Sequence, residues 1–300
     1  MSVSSIGYAR IESTDLDAWH NFASDILGLM VIRNNDSDDT LKIRMDDHPF
    51  RFLVQAGKND RLLSCGLDCG SKNQWQKNID VLADAGYSFI KSSYEEALAR
   101  SVTELAVGQD PSGNTIELYH GRELTEEPMI SPTQSQFITR DASSTDLGFG
   151  HAVLPTTETE KTLSFFRDLL QMPVCDDLTP PMPEGAPPAR VIFMHANNPR
   201  QHSLALFNHP HPAGVVHLMM EVSSLDEVGS ALDRVKKAGL PLMATLGRHV
   251  NDNMCSFYVV APGGIAIEYG FDGLLVDWDH YTPTVSTIGD LWGHEYNVPT

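Results

Sequence analysis

Long apolar runs, basic residues and cysteine are all scarce in this 300-residue chain, and each shortage narrows what the protein can do. No stretch approaches the roughly 20 apolar residues that span a bilayer, and the start, MSVSSIGYARIES, lacks the basic and apolar regions of a signal peptide. Lys and Arg number 21 against 40 Asp and Glu, for a formal charge of −19. With no basic stripe to offset that charge, nucleic acid and anionic membrane are poor partners. The four cysteines, Cys65, Cys69, Cys175 and Cys255, make no CxxC pair and no zinc-finger spacing. Cys65 and Cys69 read as small core residues, and a reducing cytoplasm is the economical location. Also missing are a GxSxG elbow, a P-loop and an HExxH helix, and Gly148-Phe149-Gly150 lacks the third glycine of a dinucleotide loop. What is left is the composition of a globular protein, 41% hydrophobic and 20% charged, long enough for two domains.

The two halves echo each other. DPSGNTIELY, with Glu117, is matched by APGGIAIEYG, with Glu268, 151 positions later. Ala85-Gly86 and Ala238-Gly239 each end a helical pattern, and Gly7-Tyr8-Ala9 resembles Gly150-His151-Ala152. Drifting offsets are what loop insertions between equivalent elements produce, so the pattern is a duplication and not a short-period solenoid. Leu16, Trp19, Phe22, Ala23, Ile26 and Leu27 fall at helical spacing behind a Thr14 or Asp15 cap. A second helix carries Trp75, Ile79 and Leu82. In the other half, Thr157 with Glu160 and Ser224 with Glu227 have the spacing of capping boxes. Short alternating runs such as KIRM and SLAL follow the helices. The expected fold is therefore α+β, four modules of strand, helix and several strands, two per domain. The polar stretch from Gly121 to about Asp146 reads as the connection, giving domains at 1–135 and 136–300, and the proline-rich run 180–188 reads as an extended loop. The tail after Phe271 has no clear period.

Histidine is unevenly spread: of 12, only His20, His48 and His120 precede residue 150. His151 and His217 fall at equivalent strand starts, and Glu268 on the last strand; the corresponding first-half positions are Tyr8, Ser64 and Glu117. A strand histidine taken singly is more often a core or surface residue, and Glu117 shows that glutamate persists at this turn without imidazoles. Their co-occurrence in one half is the informative feature. Two histidines and a carboxylate on separate strands form the facial arrangement that holds Fe(II) and leaves coordination positions open.

A longer local pattern runs through GRHVNDNMCSFYVVAPGGIAIE. Gly247, His249, Phe257, Tyr258, Ala261, Pro262, Gly264 and Glu268 fit Gly-x-His, an apolar residue with Tyr, Pro-x-Gly and Glu. In these residues the chain resembles the type I extradiol ring-cleavage dioxygenases, two-domain members of the vicinal oxygen chelate superfamily, and the likeness spans essentially the whole chain. The resemblance implies two βαβββ modules per domain and Fe(II) held by His151, His217 and Glu268, with Mn(II) as an alternative occupant. It implies that His202, in Asn198-Pro199-Arg200-Gln201-His202-Ser203, stabilises activated oxygen and moves protons. His249 and Tyr258 would bond the catechol oxygens, with Asn251 and Asp252 shaping that wall and Val153, Phe193 and Met219 lining an apolar funnel. Gln201 stands where relatives often have a second histidine. The likeness leans toward enzymes opening the catecholic ring of a secosteroid, through GVVHLMMEV, ATLGRHVND and LWGH; dihydroxybiphenyl and dihydroxynaphthalene enzymes share most of these motifs. The substrates implied are a catechol and dioxygen, and the assembly a homo-oligomer. Two other classes stay open: a metal-free binding protein on this fold, and a glyoxalase-like isomerase or lyase, whose ligands would commonly be spread over both halves.

Overall fold

The computed structural model describes residues 2–33, 39–182 and 185–297. Pro183 and Glu184 of the proline-rich run, and the last three residues of the tail, lie outside the described residues. The first half supplies β1 (Ser5–Ser13), β2 (Met30–Arg33), β3 (Thr40–Arg44), β4 (Phe52–Ala56), β5 (Arg61–Asp68), β6 (Ile90–Lys91), β7 (Glu104–Gln109) and β8 (Thr115–His120). These form one sheet in the order β2-β3-β4-β1-β5-β8-β7-β6. The second half supplies β9 (His151–Pro155), β10 (Val174–Leu178), β11 (Val191–Met194), β12 (Leu204–Phe207), β13 (His217–Glu221), β14 (Leu242–His249), β15 (Cys255–Val260) and β16 (Ala266–Phe271). Their order is β10-β11-β12-β9-β13-β16-β15-β14. Each half is two βαβββ modules joined where β1 meets β5, and β9 meets β13, antiparallel.

The register gives the duplication its exact frame. Tyr8 pairs with Gly66 and Gly66 with Glu117, just as His151 pairs with Met219 and Met219 with Glu268. Ser64 and His217 each lie two residues before the shared partner, so all three equivalences hold strand for strand. Because side chains alternate across a strand, these positions project to one face of each sheet.

The helices follow their apolar spacing. Leu16–Asn21 (α1) is capped by Asp15, whose side chain accepts from the Ala18 amide at 2.8 Å. Lys72–Asp84 (α2) is capped by Ser71, and a short helix, Tyr94–Ala99 (α3), carries a full capping box of Ser93 and Glu96. Thr159–Ser164 (α4) and Leu225–Lys237 (α5) complete the set. After α1 and α4 the chain widens into one π-helical turn, with Leu27 N–H bonding Phe22 and Leu170 N–H bonding Phe165. That a periodicity of 3.6 does not predict a π turn is expected; its recurrence at matched sites is further evidence of duplication.

The Thr157–Glu160 capping box does not form. The α4 N-cap is Glu158, without a side-chain cap. The Thr157 and Glu158 amides are taken instead by Ser112 Oγ of the other half, and Glu160 pairs with Arg190. The Ser224 cap forms, but Glu227 turns to Ser223 and the Gln136 amide. In both cases a long-range partner outcompetes the local one. A single hydrophobic cluster, including Trp19, Trp75, Phe149, Phe166 and Tyr269, runs through both halves. The connection after Gly121 crosses between them, Ile138 N–H bonding Glu221 and Phe149 N–H bonding Ile6. The tail adds β17 (Thr284–Ser286) beside β10 and β18 (Asp290–Trp292) beside β14, so it borders both edges of the second sheet. No described helix is long and apolar enough to cross a membrane.

In the first half, Glu117 is fully buried and surrounded by protein. It accepts from Tyr8 OH at 2.6 Å, Ser64 Oγ at 2.9 Å and Arg10 Nη1 at 2.7 Å, with Arg100 at 3.3 Å. Burial pushes its carboxyl up, but the two guanidiniums and the Tyr8 hydroxyl outweigh burial and hold it below the ordinary carboxylate range. Glu117→Gln leaves two cations without their counter-charge and is expected to cost about 3 kcal/mol in urea unfolding at pH 7. A depressed carboxyl contributes stability above its unfolded value, about 4.3, and loses it as pH falls through the folded value. The gap between wild type and variant should therefore close in acid; equal urea midpoints at pH 7 would contradict this account.

Candidate functional site

At the matched position in the second half, no described arginine pairs with the carboxylate. His151 opens β9 directly after Gly150, whose φ of 141° and lack of a side chain bring the backbone against Met219, where a Cβ would collide with its carbonyl. His217 opens β13, and Glu268 lies on β16. The Nε2 atoms of the two histidines are 3.0 Å apart, and Glu268 Oε2 lies 3.1 Å from one and 3.3 Å from the other. Glu268 is 1% exposed, yet Oε2 makes no aligned hydrogen bond.

Three donors facing one point, His151 and Glu268 buried and His217 half-buried, suit a metal ion. Bonds of about 2.1 Å at right angles put neighbouring donors about 3.0 Å apart, close to the spacing found. An orphaned carboxylate oxygen beside two imidazole nitrogens is otherwise expensive. The donor set, two nitrogens and one oxygen on one face, suits Fe(II), and the same set accepts Mn(II). Burial drives the His151 imidazole down to about 4, so it stays neutral and able to ligate. Burial pushes Glu268 up, but the imidazoles of His151, His217 and His249 crowded around it outweigh burial and hold the carboxyl well below its ordinary value.

The other expected site residues gather round this point, with one exception. His202 is buried with its ring 4.1 Å from that of His151 and 4.8 Å from Phe193. Burial holds its imidazole well below the ordinary value, and Nε2 has no partner. His249 Nε2 lies 2.7 Å from the Tyr258 hydroxyl and 3.3 Å from Glu268 Oε1, and Tyr258 sits directly opposite Glu268 across the β15–β16 ladder. Asp252 is buried 3.7 Å from His202 Nδ1, its carboxyl pushed up to about 6 chiefly by burial. Val153 and Phe193 join Cys175, Leu178 and Ala205 in an apolar cluster beside the histidines. Met219 is buried between His151 and Glu268 in the ladder, so it packs under the donors. Asn251 is half-buried and its side chain bonds no described residue, so the structure does not draw it into the cluster.

All the expected site residues lie in the second half, whereas the likeness to known proteins runs through both halves. Residues 148–269 match the Glyoxalase/Bleomycin resistance protein/Dioxygenase superfamily, and residues 6–57 match Dihydroxybiphenyl dioxygenase BphC D1. The chain is 41% identical over 303 residues to an iron-dependent extradiol dioxygenase of Rhodococcus jostii (strain RHA1), covering 99% of each. It is 35% identical to a biphenyl-2,3-diol 1,2-dioxygenase of Paraburkholderia xenovorans (strain LB400), covering 98% of this chain and 96% of that one. The chain belongs to the extradiol dioxygenases. Among solved structures, the 2,2',3-trihydroxybiphenyl 1,2-dioxygenase of Sphingomonas wittichii strain RW1 superposes on this extradiol dioxygenase with a TM-score of 0.87 at 30% identity, covering 99% and 100% of the two chains.

The structure adds residues around the site that spacing alone did not single out. Ser256 donates to Glu268 Oε1 at 2.6 Å. Asp290, on the tail strand β18, takes His249 Nδ1 at 2.8 Å and His294 Nδ1 at 2.6 Å. Burial pushes Asp290 up, but the two histidines outweigh it and bring the carboxyl to about 2. Gly247 has a reason of its own, since a Cβ there would overlap the His294 ring. Alternation on β15 could have found Ser256, which shares a face with Tyr258; nothing local marks Asp290. In this extradiol dioxygenase, Ser256→Ala removes a hydrogen bond that orients Glu268. Divalent-metal affinity measured by titration calorimetry is expected to fall about 10-fold, with the urea midpoint little changed. Unaltered affinity would remove Ser256 from any supporting role.

Proposed function

We propose that the chain is an Fe(II)-dependent extradiol dioxygenase that opens a catechol carried on a bulky apolar body, of the secosteroid kind, with residues 1–135 as a metal-free half and 136–300 as the catalytic half. The observation that carries the reading is the convergence of His151, His217 and Glu268 on one point beside the Val153–Phe193 apolar cluster. Bound there, the iron supplies Lewis acidity, which favours loss of the catechol protons, and a redox centre for dioxygen.

This chain's own residues divide the remaining work. His249 and Tyr258, 2.7 Å apart, present a donor–acceptor pair to one catechol oxygen. Asp290 holds the Nδ1–H of His249, so Nε2 is the atom directed inward. His202, neutral because burial disfavours its charge, can take a proton and return it during ring opening. Val153, Phe193 and Ala205 exclude water from the reacting ring, and the wall extends to Trp278 and Tyr281, which suits a substituent larger than a single ring. Both atoms of dioxygen end in the ring-opened keto acid. A dihydroxybiphenyl substrate is the second reading, favoured by the likeness to biphenyl-2,3-diol 1,2-dioxygenases.

Two measurements test this. Protein loaded anaerobically with Fe(II) and then given air and a panel from plain catechol to a catecholic secosteroid is expected to consume one dioxygen per substrate and form a yellow product, fastest with the secosteroid. A preference for dihydroxybiphenyl selects the second reading, and no turnover across the panel defeats both. His217→Ala is expected to lose metal and at least about 100-fold in kcat/KM; a variant that keeps iron and full turnover would overturn the ligand assignment.

A further inference from the structure

We propose that Gln201 is a positioning residue that sets the tautomer of His202, and that Tyr281, from the C-terminal tail, holds Gln201 in the orientation required. This rests on the proposed function only in giving His202 a role; the hydrogen bonds stand by themselves.

The direction of each bond follows from the one before it. The Cys175 carbonyl can only accept, so the Tyr281 hydroxyl donates to it, at 3.2 Å. That uses the only hydrogen on the hydroxyl, so its oxygen accepts from the amide Nε2 of Gln201, at 3.1 Å. With Nε2 committed, the amide oxygen Oε1 faces His202 Nδ1 at 2.7 Å. An amide oxygen also only accepts, so Nδ1 carries the proton. In the neutral ring Nε2 then has a free lone pair, and Nε2 is the buried atom with no partner beside the metal-ligand cluster. The opposite amide orientation would set the NH2 group against Nδ1 and force the proton onto Nε2. It would also pull the Tyr281 hydroxyl away from the Cys175 carbonyl.

Both ends of this relay are fixed. Gln201 is 1% exposed and its own amide bonds the Leu274 carbonyl. Tyr281 packs edge-on against Trp278, which stacks on His195 at 3.4 Å and donates to the Asn198 carbonyl. The nearest competing acceptor for Nδ1, Asp252 Oδ2, is 3.7 Å away and too far to share the proton. A histidine in place of Gln201 could present either a donor or an acceptor to Nδ1. The glutamine, oriented by Tyr281, presents only the acceptor, so docking of the tail around Tyr281 makes the proton-handling atom of His202 available.

The full chain loaded with diamagnetic Zn(II) and labelled with nitrogen-15 reports the tautomer by long-range proton–nitrogen correlation, with His202→Ala as the assignment control. Wild type is expected to show Nδ1–H at His202, Gln201→Leu to lose it, and Gln201→Glu, which keeps an acceptor there, to retain it. In Fe(II)-loaded enzyme, Gln201→Leu is expected to lower kcat about 100-fold while anaerobic catechol affinity and KM stay within about 2-fold. Tyr281→Phe should lower kcat less, and in the double variant should add nothing to Gln201→Leu, because both act through one chain of bonds. Nδ1–H retained in Gln201→Leu, an Nε2–H in wild type, or additive losses would each overturn the proposal. Wild type that shows Nδ1–H but opens no catechol would defeat the proposed function and leave the tautomer assignment standing.

Discussion

A carboxylate sealed inside a sheet must meet positive charge or give up its own, and the cost of failing to do either is several kcal/mol. This protein meets that constraint twice, at the same place in two copies of one architecture, with opposite solutions. Glu117 is answered by Arg10, Arg100 and the hydroxyls of Tyr8 and Ser64, all supplied by the chain. Glu268 is met by His151, His217, His249 and Ser256, which offer imidazole nitrogens and a hydroxyl and no arginine. The difference lies in a handful of positions, imidazoles in place of Tyr8 and Ser64 and no counterpart to the Arg10 and Arg100 pairs, yet it separates a closed structural knot from a cluster of donors that suits an ion from outside. The arginines of the first half reach from β1 and from just beyond α3, whereas in the second half the additional group that reaches the carboxylate is the His249 imidazole at the end of β14.

The rest of the second sheet is consistent with keeping those three donors where they are. Met219 is the shared backbone partner of His151 and Glu268, so the ladder fixes the distance between their strands before any side chain acts. Gly150 lets β9 begin hard against β13, and Gly247 lets the tail carry His294 and Asp290 close to His249. A rigid first set of ligands supported by hydrogen-bonded neighbours is what precise metal geometry needs. The apolar cluster around Phe193 has a different task, shaping the space next to the donors.

What could be read from residues alone was whatever local pattern or self-similarity encodes. The βαβββ repeat, the matched triads and the Gly-x-His to Glu pattern all follow from short-range spacing, because a strand's register is written in its alternation. The Thr157–Glu160 box has the right spacing and does not form, because Ser112 from the other half offers the amides a better acceptor. Asn251 shares its motif with Asp252, but the turn leaves its side chain half-buried and unbonded while Asp252 is buried near His202. The tail was the least readable part: β17 and β18 are three residues each and acquire meaning only from the edges they join. Asp290 and Tyr281 belong to that category: apart from His294, four positions on from Asp290, their partners lie 41 to 106 positions away in sequence and close together in space.

The tail therefore changes how the second half should be understood. Its two edge strands border β10 and β14, at opposite ends of the sheet, and its side chains bear on His249 and His202 beside the metal-ligand cluster, one directly and one through an intermediary. Asp290 reaches His249 directly, and Tyr281 reaches His202 through Gln201. Imidazole is useful in proton chemistry because its two nitrogens can exchange roles, and harmful to it for the same reason unless something chooses between them. Here Asp290 of the tail holds the Nδ1–H of His249, and at His202 the choice is made by Gln201, which Tyr281 of the tail orients. The duplicated architecture explains where the donors stand; the added tail explains which way the protons on the neighbouring histidines point.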